Sequence, residues 1–220
     1  MKINVSGKPA FSYVDVDLEP GESFICESDS MASMSADLDM TAKLNGGFLN
    51  GLLKKFLGKE SLFVSVFTNN TDEVKRLTIT QSNPGDIIIK ELKNESYNIQ
   101  PGGYIASSPE IKIGIKWAGF ASWIGGEGLF KLVVSGNGKV VFGAYGGLVE
   151  KYIDGEYIVD TDHLVAYEPQ MKLKVQLAGG IFSSFFGGEG LVTRVEGKGK
   201  IILQTRTLSG LAKWINKYLN

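Results

Sequence analysis

Apolar and polar residues alternate in two stretches of closely matching sequence. Ile111, Ile113, Ile115 and Trp117 are separated by Lys112, Gly114 and Lys116, and Met171, Leu173, Val175 and Leu177 by Lys172, Lys174 and Gln176. A period of two sustained over seven residues predicts a strand with one buried and one wet face. The segments leading into these strands also correspond: Ile99-Gln-Pro-Gly-Gly-Tyr-Ile-Ala-Ser-Ser-Pro109 lies over Val159-Asp-Thr-Asp-His-Leu-Val-Ala-Tyr-Glu-Pro169 without a gap. Beyond the strands come a glycine-containing apolar stretch and a landmark, Gly125-Gly-Glu-Gly-Leu-Phe130 in one case and Gly187-Gly-Glu-Gly-Leu-Val192 in the other. A further strand, a glycine pair (Gly136-Asn-Gly138, Gly197-Lys-Gly199) and a return strand (Lys139–Phe142, Lys200–Leu203) complete each copy. Strand, Gly-x-Gly, strand predicts a β-hairpin, because glycine enters positive φ without steric penalty.

A looser copy occupies the first third. Leu18-Glu-Pro-Gly21 echoes Ile99-Gln-Pro-Gly102, and Leu38, Met40, Ala42 and Leu44 alternate with polar neighbours. Gly58-Lys-Glu-Ser-Leu-Phe63 stands where the other copies have their glutamate landmark, and Asn69-Asn-Thr-Asp72 replaces the glycine turn. The expected fold is therefore all-β: three repeats near 15–80, 96–155 and 156–207 within a single domain over 1–220, packed around a pseudo-threefold axis as a β-sandwich or prism. One such unit alone could not cover its apolar strand faces. In the tail, apolar residues at 208, 211, 215, 218 and 219 predict an amphipathic helix over 208–219. A free helix this short is marginal in water, so it is expected to dock on the sheets.

Composition agrees with many tight turns between apolar strands. The chain has 28 glycines in 220 residues, nearly twice the usual share of about 7%. With 23 basic and 24 acidic residues the net charge is −1, which removes the bulk attraction of a general nucleic-acid binder. A single cysteine, Cys26, excludes an internal disulfide, and a single histidine, His163, leaves little for a classical zinc or Cys/His site. The N-terminal residues lack the apolar core of a secretory signal, and a cytoplasmic location is expected.

The repeated layout, the Pro-Gly and Asp-x-x-His-Leu-Val-Ala entries and above all the paired Gly-Gly-Glu-Gly-Leu segments resemble the "altered inheritance of mitochondria" family of mitochondrial-biogenesis proteins over nearly the whole chain. That resemblance implies a fold like that of the tryptophan RNA-binding attenuation protein, an all-β ring-former. Its functional implication is thin. Mitochondrial relatives are linked to inner-membrane organisation, bacterial ones have no assigned activity, and no catalytic residue or cofactor carries across.

The candidate surface lies in the segments before the glutamate landmarks. Phe48, Leu49, Leu52, Leu53 and Phe56 in the first copy, Phe120, Trp123 and Ile124 in the second, and Ile181, Phe182, Phe185 and Phe186 in the third are expected to gather at one end. Buried, they plug the core or seal a homo-oligomer. Exposed, they form an apolar patch for a protein partner or a membrane surface, with Lys54 and Lys55 suited to an interfacial segment. Glu60, Glu127 and Glu189 recur once per copy; a turn-fixing role is favoured over a cation or acid–base cluster. His163 reads as an exposed turn residue and Cys26 as a small core hydrophobe. The reading is of a non-enzymatic scaffold or interaction protein without a cofactor. The alternative is a small-ligand or RNA binder using the outward lysines 112, 116, 172 and 174, a stripe that Asp37 and Asp39 interrupt in the first copy.

Overall fold

A computed structural model describes residues 1–44, 63–100, 102–117, 130–177 and 191–219. Among them the named strands all pair antiparallel, and one short helix closes the chain. The first part holds β1 (Lys2–Ser6), β2 (Tyr13–Leu18), β3 (Ser23–Glu27), β4 (Met31–Met34), β5 (Asp39–Leu44), β6 (Phe63–Thr68) and β7 (Lys75–Thr80). The middle holds β8 (Ile87–Ile99), β9 (Tyr104–Ser107), β10 (Lys112–Trp117) and β11 (Phe130–Gly143). The last part holds β12 (Leu148–Asp160), β13 (Leu164–Tyr167), β14 (Lys172–Leu177), β15 (Leu191–Gln204) and the helix α1 (Leu208–Asn216). β12 spans the 155/156 division expected between the second and third segments.

A four-stranded sheet, β1-β2-β7-β4, packs over part of an eleven-stranded sheet ordered β12-β15-β13-β8-β11-β9-β3-β6-β5, with β10 added on β11 and β14 on β15. The alternation in β2 explains the contact: Val14, Val16 and Leu18 are fully buried, and meet Leu77, Ile79, Phe24, Cys26, Phe67 and Val141 in one apolar cluster. Two further clusters serve the middle and last segments, around Tyr104, Ile111, Phe142 and Ala166 and around Ile153, Val195 and Ile201.

The middle and last segments have one strand plan. β8 pairs with β11 from Ile87 to Ile99, and β12 with β15 from Leu148 to Asp160. The four-residue strands β9 and β13 are buried at every position. β9 lies between β11 and β3, and β13 between β15 and β8. Residues 1–80 depart from this plan. There the counterpart of the long strand is split into β6 and β7, which belong to different sheets. Asn69 holds the break: fully buried, it donates from Nδ2 to the carbonyls of Leu18 and Glu73, each at 2.8 Å, and accepts at Oδ1 from the Thr71 hydroxyl.

The glycine pairs do not turn hairpins. Gly136 and Gly138 lie inside continuous β11, Gly197 and Gly199 inside continuous β15. Each pair marks where the long strand changes partner, from β10 to β9 in one case and from β14 to β13 in the other. Gly136 has φ +132°, the pairing with β8 slips beside it, and a Cβ there would sit 2.6 Å from the Glu110 carbonyl oxygen. Positive φ served a strand bend under a tight turn rather than a chain reversal.

Candidate interaction surfaces

The hairpins that adjoin the candidate segments are β5–β6, β10–β11 and β14–β15, whose outermost pairs are Leu44 with Phe63, Trp117 with Phe130 and Leu177 with Leu191. Segments 45–62, 118–129 and 178–190 join these ends. All the expected apolar patch residues (Phe48, Leu49, Leu52, Leu53, Phe56, Phe120, Trp123, Ile124, Ile181, Phe182, Phe185 and Phe186) and the recurrent Glu60, Glu127 and Glu189 therefore lie outside the described residues.

What is described is how each hairpin approaches those segments. Ile111 and Met171, at the inner ends, are buried; Ile113, Ile115, Leu173 and Val175, farther out, are only half-buried, while Lys112, Lys116, Lys172 and Lys174 are exposed as the alternation required. In β5 the expected buried face is absent: Met40 is 53% exposed and Ala42 is open too. β5 forms an edge of the large sheet, paired only with β6, so nothing described covers its apolar side.

The outward faces of the two lysine-bearing hairpins differ. On the last one, Lys174 bridges Glu196 at 2.8 Å, Arg194 bridges Glu156 at 2.8 Å, Lys198 bridges Asp154 at 3.0 Å and Lys200 bridges Glu150 at 2.6 Å. The hydrogen bond donated by Lys174 holds the Glu196 carboxyl below its usual value, and those that Lys200 and Lys198 donate to Glu150 and Asp154 raise the two lysines. On the middle hairpin, Lys116 stands directly across from Lys131, a like-charge cross-strand pair with no described carboxylate bridging it. Lys131 is instead laid over the Tyr167 ring, its Nζ 5.3 Å from the centroid and 3.1 Å from the phenol oxygen. Burial, and then the charge of Lys116, lowers its pKa. The Tyr167 cradle was invisible in the sequence, since its two halves are 36 residues apart; the ion-pair ladder was legible in principle as acids in β12 facing bases in β15.

The other singled-out side chains have structural partners. His163 ends a single 3-10 turn and is half-buried rather than exposed; its Nδ1–H donates to the Gln204 carbonyl at 2.6 Å. Cys26 is fully buried and burial drives its thiol pKa up, so it packs as an inert small hydrophobe. No described group of His, Cys, Asp and Glu has the arrangement of a metal site.

The tail overturns an expectation. α1 forms, capped by Thr207, whose Oγ1 accepts from the Gly210 amide at 3.0 Å. It does not bury its apolar face: no residue of the helix is buried, Leu208 and Ile215 are exposed, and Trp214, Tyr218 and Leu219 are 57%, 71% and 73% exposed. Capping and the Ser209 hydroxyl's bond to Asp162 hold its first turn, which is how a helix this short persists with little packing. An open cleft of about 380 Å³ separates it from the body, lined partly by Tyr145, His163, Arg206 and Trp214.

These features define an antiparallel all-β protein whose tail exposes several large apolar side chains. Residues 3–206 match the family model for mitochondrial biogenesis AIM24, and the chain belongs to that family. It is 27% identical over its whole length to an uncharacterized protein of Streptococcus pyogenes serotype M6, M6_Spy0233, covering 91% of that protein. Its fold is that of the crystal structure of SPYM3_0169 from Streptococcus pyogenes, with a TM-score of 0.80 and 24% identity over 99% of each chain. No helix among the described residues is long and apolar enough to cross a membrane.

Proposed function

We propose that the protein is a non-enzymatic scaffold of the cytoplasm that self-associates through the ends of its β-hairpins. In this reading one architecture is repeated three times, and the repeats bring their apolar connecting segments together as a contact surface. The single observation that supports it is the change in burial along β10 and β14: Ile111 and Met171 sit in the core, whereas Ile113, Ile115 and Leu173 pack only partly against it and Val175 is half-buried. A half-covered apolar stripe followed in sequence by aromatic residues is what this reading takes as the approach to an interface. The test is the double substitution Trp123→Ser and Phe186→Ser, read by sedimentation velocity and circular dichroism. A retained fold with a smaller assembly is the expected result; an unchanged assembly rejects the reading.

A second reading has its own support. Lys112, Lys116 and Lys131 form a cationic face without a described carboxylate partner, suited to an RNA backbone. Fluorescence titration with single-stranded RNA at two salt concentrations tests it: affinity that falls with salt supports it, and absence of binding at low salt removes it.

A further inference from the structure

The C-terminal helix presents an apolar face that the body leaves uncovered, and its charge indicates what covers it. At 100° per residue, Leu208, Leu211, Trp214 and Ile215 of α1 fall on one side, with Ser209, Lys213 and Asn216 on the other, and Lys217, Tyr218 and Leu219 follow just past its last turn. Leu211 is partly covered and Trp214 borders the cleft against the body, but Trp214, Ile215, Tyr218 and Leu219 are all exposed, the last two most of all. The rings of Trp214 and Tyr218 pack edge to face, centroids 5.2 Å apart, so the aromatic pair is preformed. Between Thr205 and Leu219 the charged side chains are Arg206, Lys213 and Lys217, with no Asp or Glu, in a protein whose net charge is −1. The tail is a local cation on an otherwise acidic chain.

From this charge complementarity we infer that α1 is an interfacial helix that docks on an anionic lipid bilayer, laying Trp214, Ile215, Tyr218 and Leu219 at the headgroup boundary and directing Lys213 and Lys217 to acidic headgroups. Tryptophan and tyrosine suit that depth because each joins an apolar ring to a polar edge. A basic polar face opposite an aromatic apolar face is the pattern of such helices, whatever their length. The surface is separate from the hairpin ends, so the inference stands apart from the proposed self-association.

Co-flotation of the full chain with vesicles tests it. Vesicles of equal parts phosphatidylcholine and phosphatidylglycerol should carry the protein up, and pure phosphatidylcholine should not. Trp214→Ser with Tyr218→Ser should abolish flotation while leaving the melting profile and assembly size unchanged, since neither side chain is in the core. Lys213→Glu with Lys217→Glu should weaken binding by at least about fivefold per lysine at low salt. Failure to float with anionic vesicles, equal flotation with neutral ones, or equal flotation of the aromatic variant would each overturn the inference. So would an assembly that falls apart in the aromatic variant, because the face would then be covered by another copy. The Trp123→Ser, Phe186→Ser variant should still float, which separates this outcome from the fate of the hairpin reading.

Discussion

The middle and last hairpins share strand lengths, register and inner apolar positions, yet their outer faces have opposite characters. Beneath both, Ile111 and Met171 seal the inner end. Above, Lys174 of β14 and Arg194, Lys198 and Lys200 of β15 enter a ladder of ion pairs, whereas β10 and β11 set Lys116 against Lys131 and rest the latter on Tyr167. The inner face is dictated by packing, which tolerates only apolar residues of suitable size. The outer face is constrained only to be soluble and is left free for binding. Differences of charge between otherwise equivalent strands therefore reflect how much less packing constrains the outer face than the inner one.

The largest effect that could break this comparison is at the strand bends. Gly136→Val should destabilise by about 4 kcal/mol, since a Cβ meets the Glu110 carbonyl at 2.6 Å on a left-handed backbone. Gly197→Val, with φ +126° but its nearest neighbour at 3.6 Å, should cost only about 1–2 kcal/mol. Urea unfolding of the two variants measures the gap; equal losses would mean that the turn at 108–110 yields freely. Next, Ile111→Ala and Met171→Ala should each cost about 2–4 kcal/mol, as for buried truncations generally. A large inequality between them would deny that the two inner faces are interchangeable.

The outer faces should respond to opposite ends of the pH scale. Lys131 has a folded-state pKa below its ordinary 10.5. Its charged form therefore costs stability, and that cost is relieved as pH rises through the lowered value toward 10.5. Lys131→Met should remove this alkaline gain in the urea midpoint. Glu196 has a folded-state pKa below its ordinary 4.5, so its contribution is present above that value and lost as pH falls through the lowered one. Glu196→Gln should flatten the acid limb slightly, the smallest effect of the set because the pair faces water.

Much of the fold was legible in residue order. The alternation at 111–117 and 171–177 located β10 and β14, while the gapless match over 99–109 and 159–169 paired the segments that hold β9 and β13 without marking either as a strand. The glycine pairs misled because positive φ is needed equally by a chain reversal and by a strand that bends under a neighbouring turn; only long-range pairing distinguishes them. The alternation at Met40 and Ala42 was read correctly as strand and wrongly as buried, since periodicity reports two faces and not whether anything covers one. The same limit applies to the helix: Leu208 through Leu219 spelled out its apolar side, and the sequence held no information on whether the sheets would receive it. The candidate patch was read from the apolar segments before the glutamate landmarks, and all of its residues lie outside the described ones.

β9 and β13 have a consequence for how the chain comes apart. Ala106 is hydrogen-bonded sideways into β11 and β3, and Ala166 into β15 and β8, so each four-residue strand belongs to two modules at once. Tandem architectures ordinarily melt piecemeal, one module peeling from the next. Here no module can leave without tearing a ladder that its neighbour also needs, so the protein should lose structure in a single calorimetric transition, with the amides of these two short strands the last to exchange with solvent.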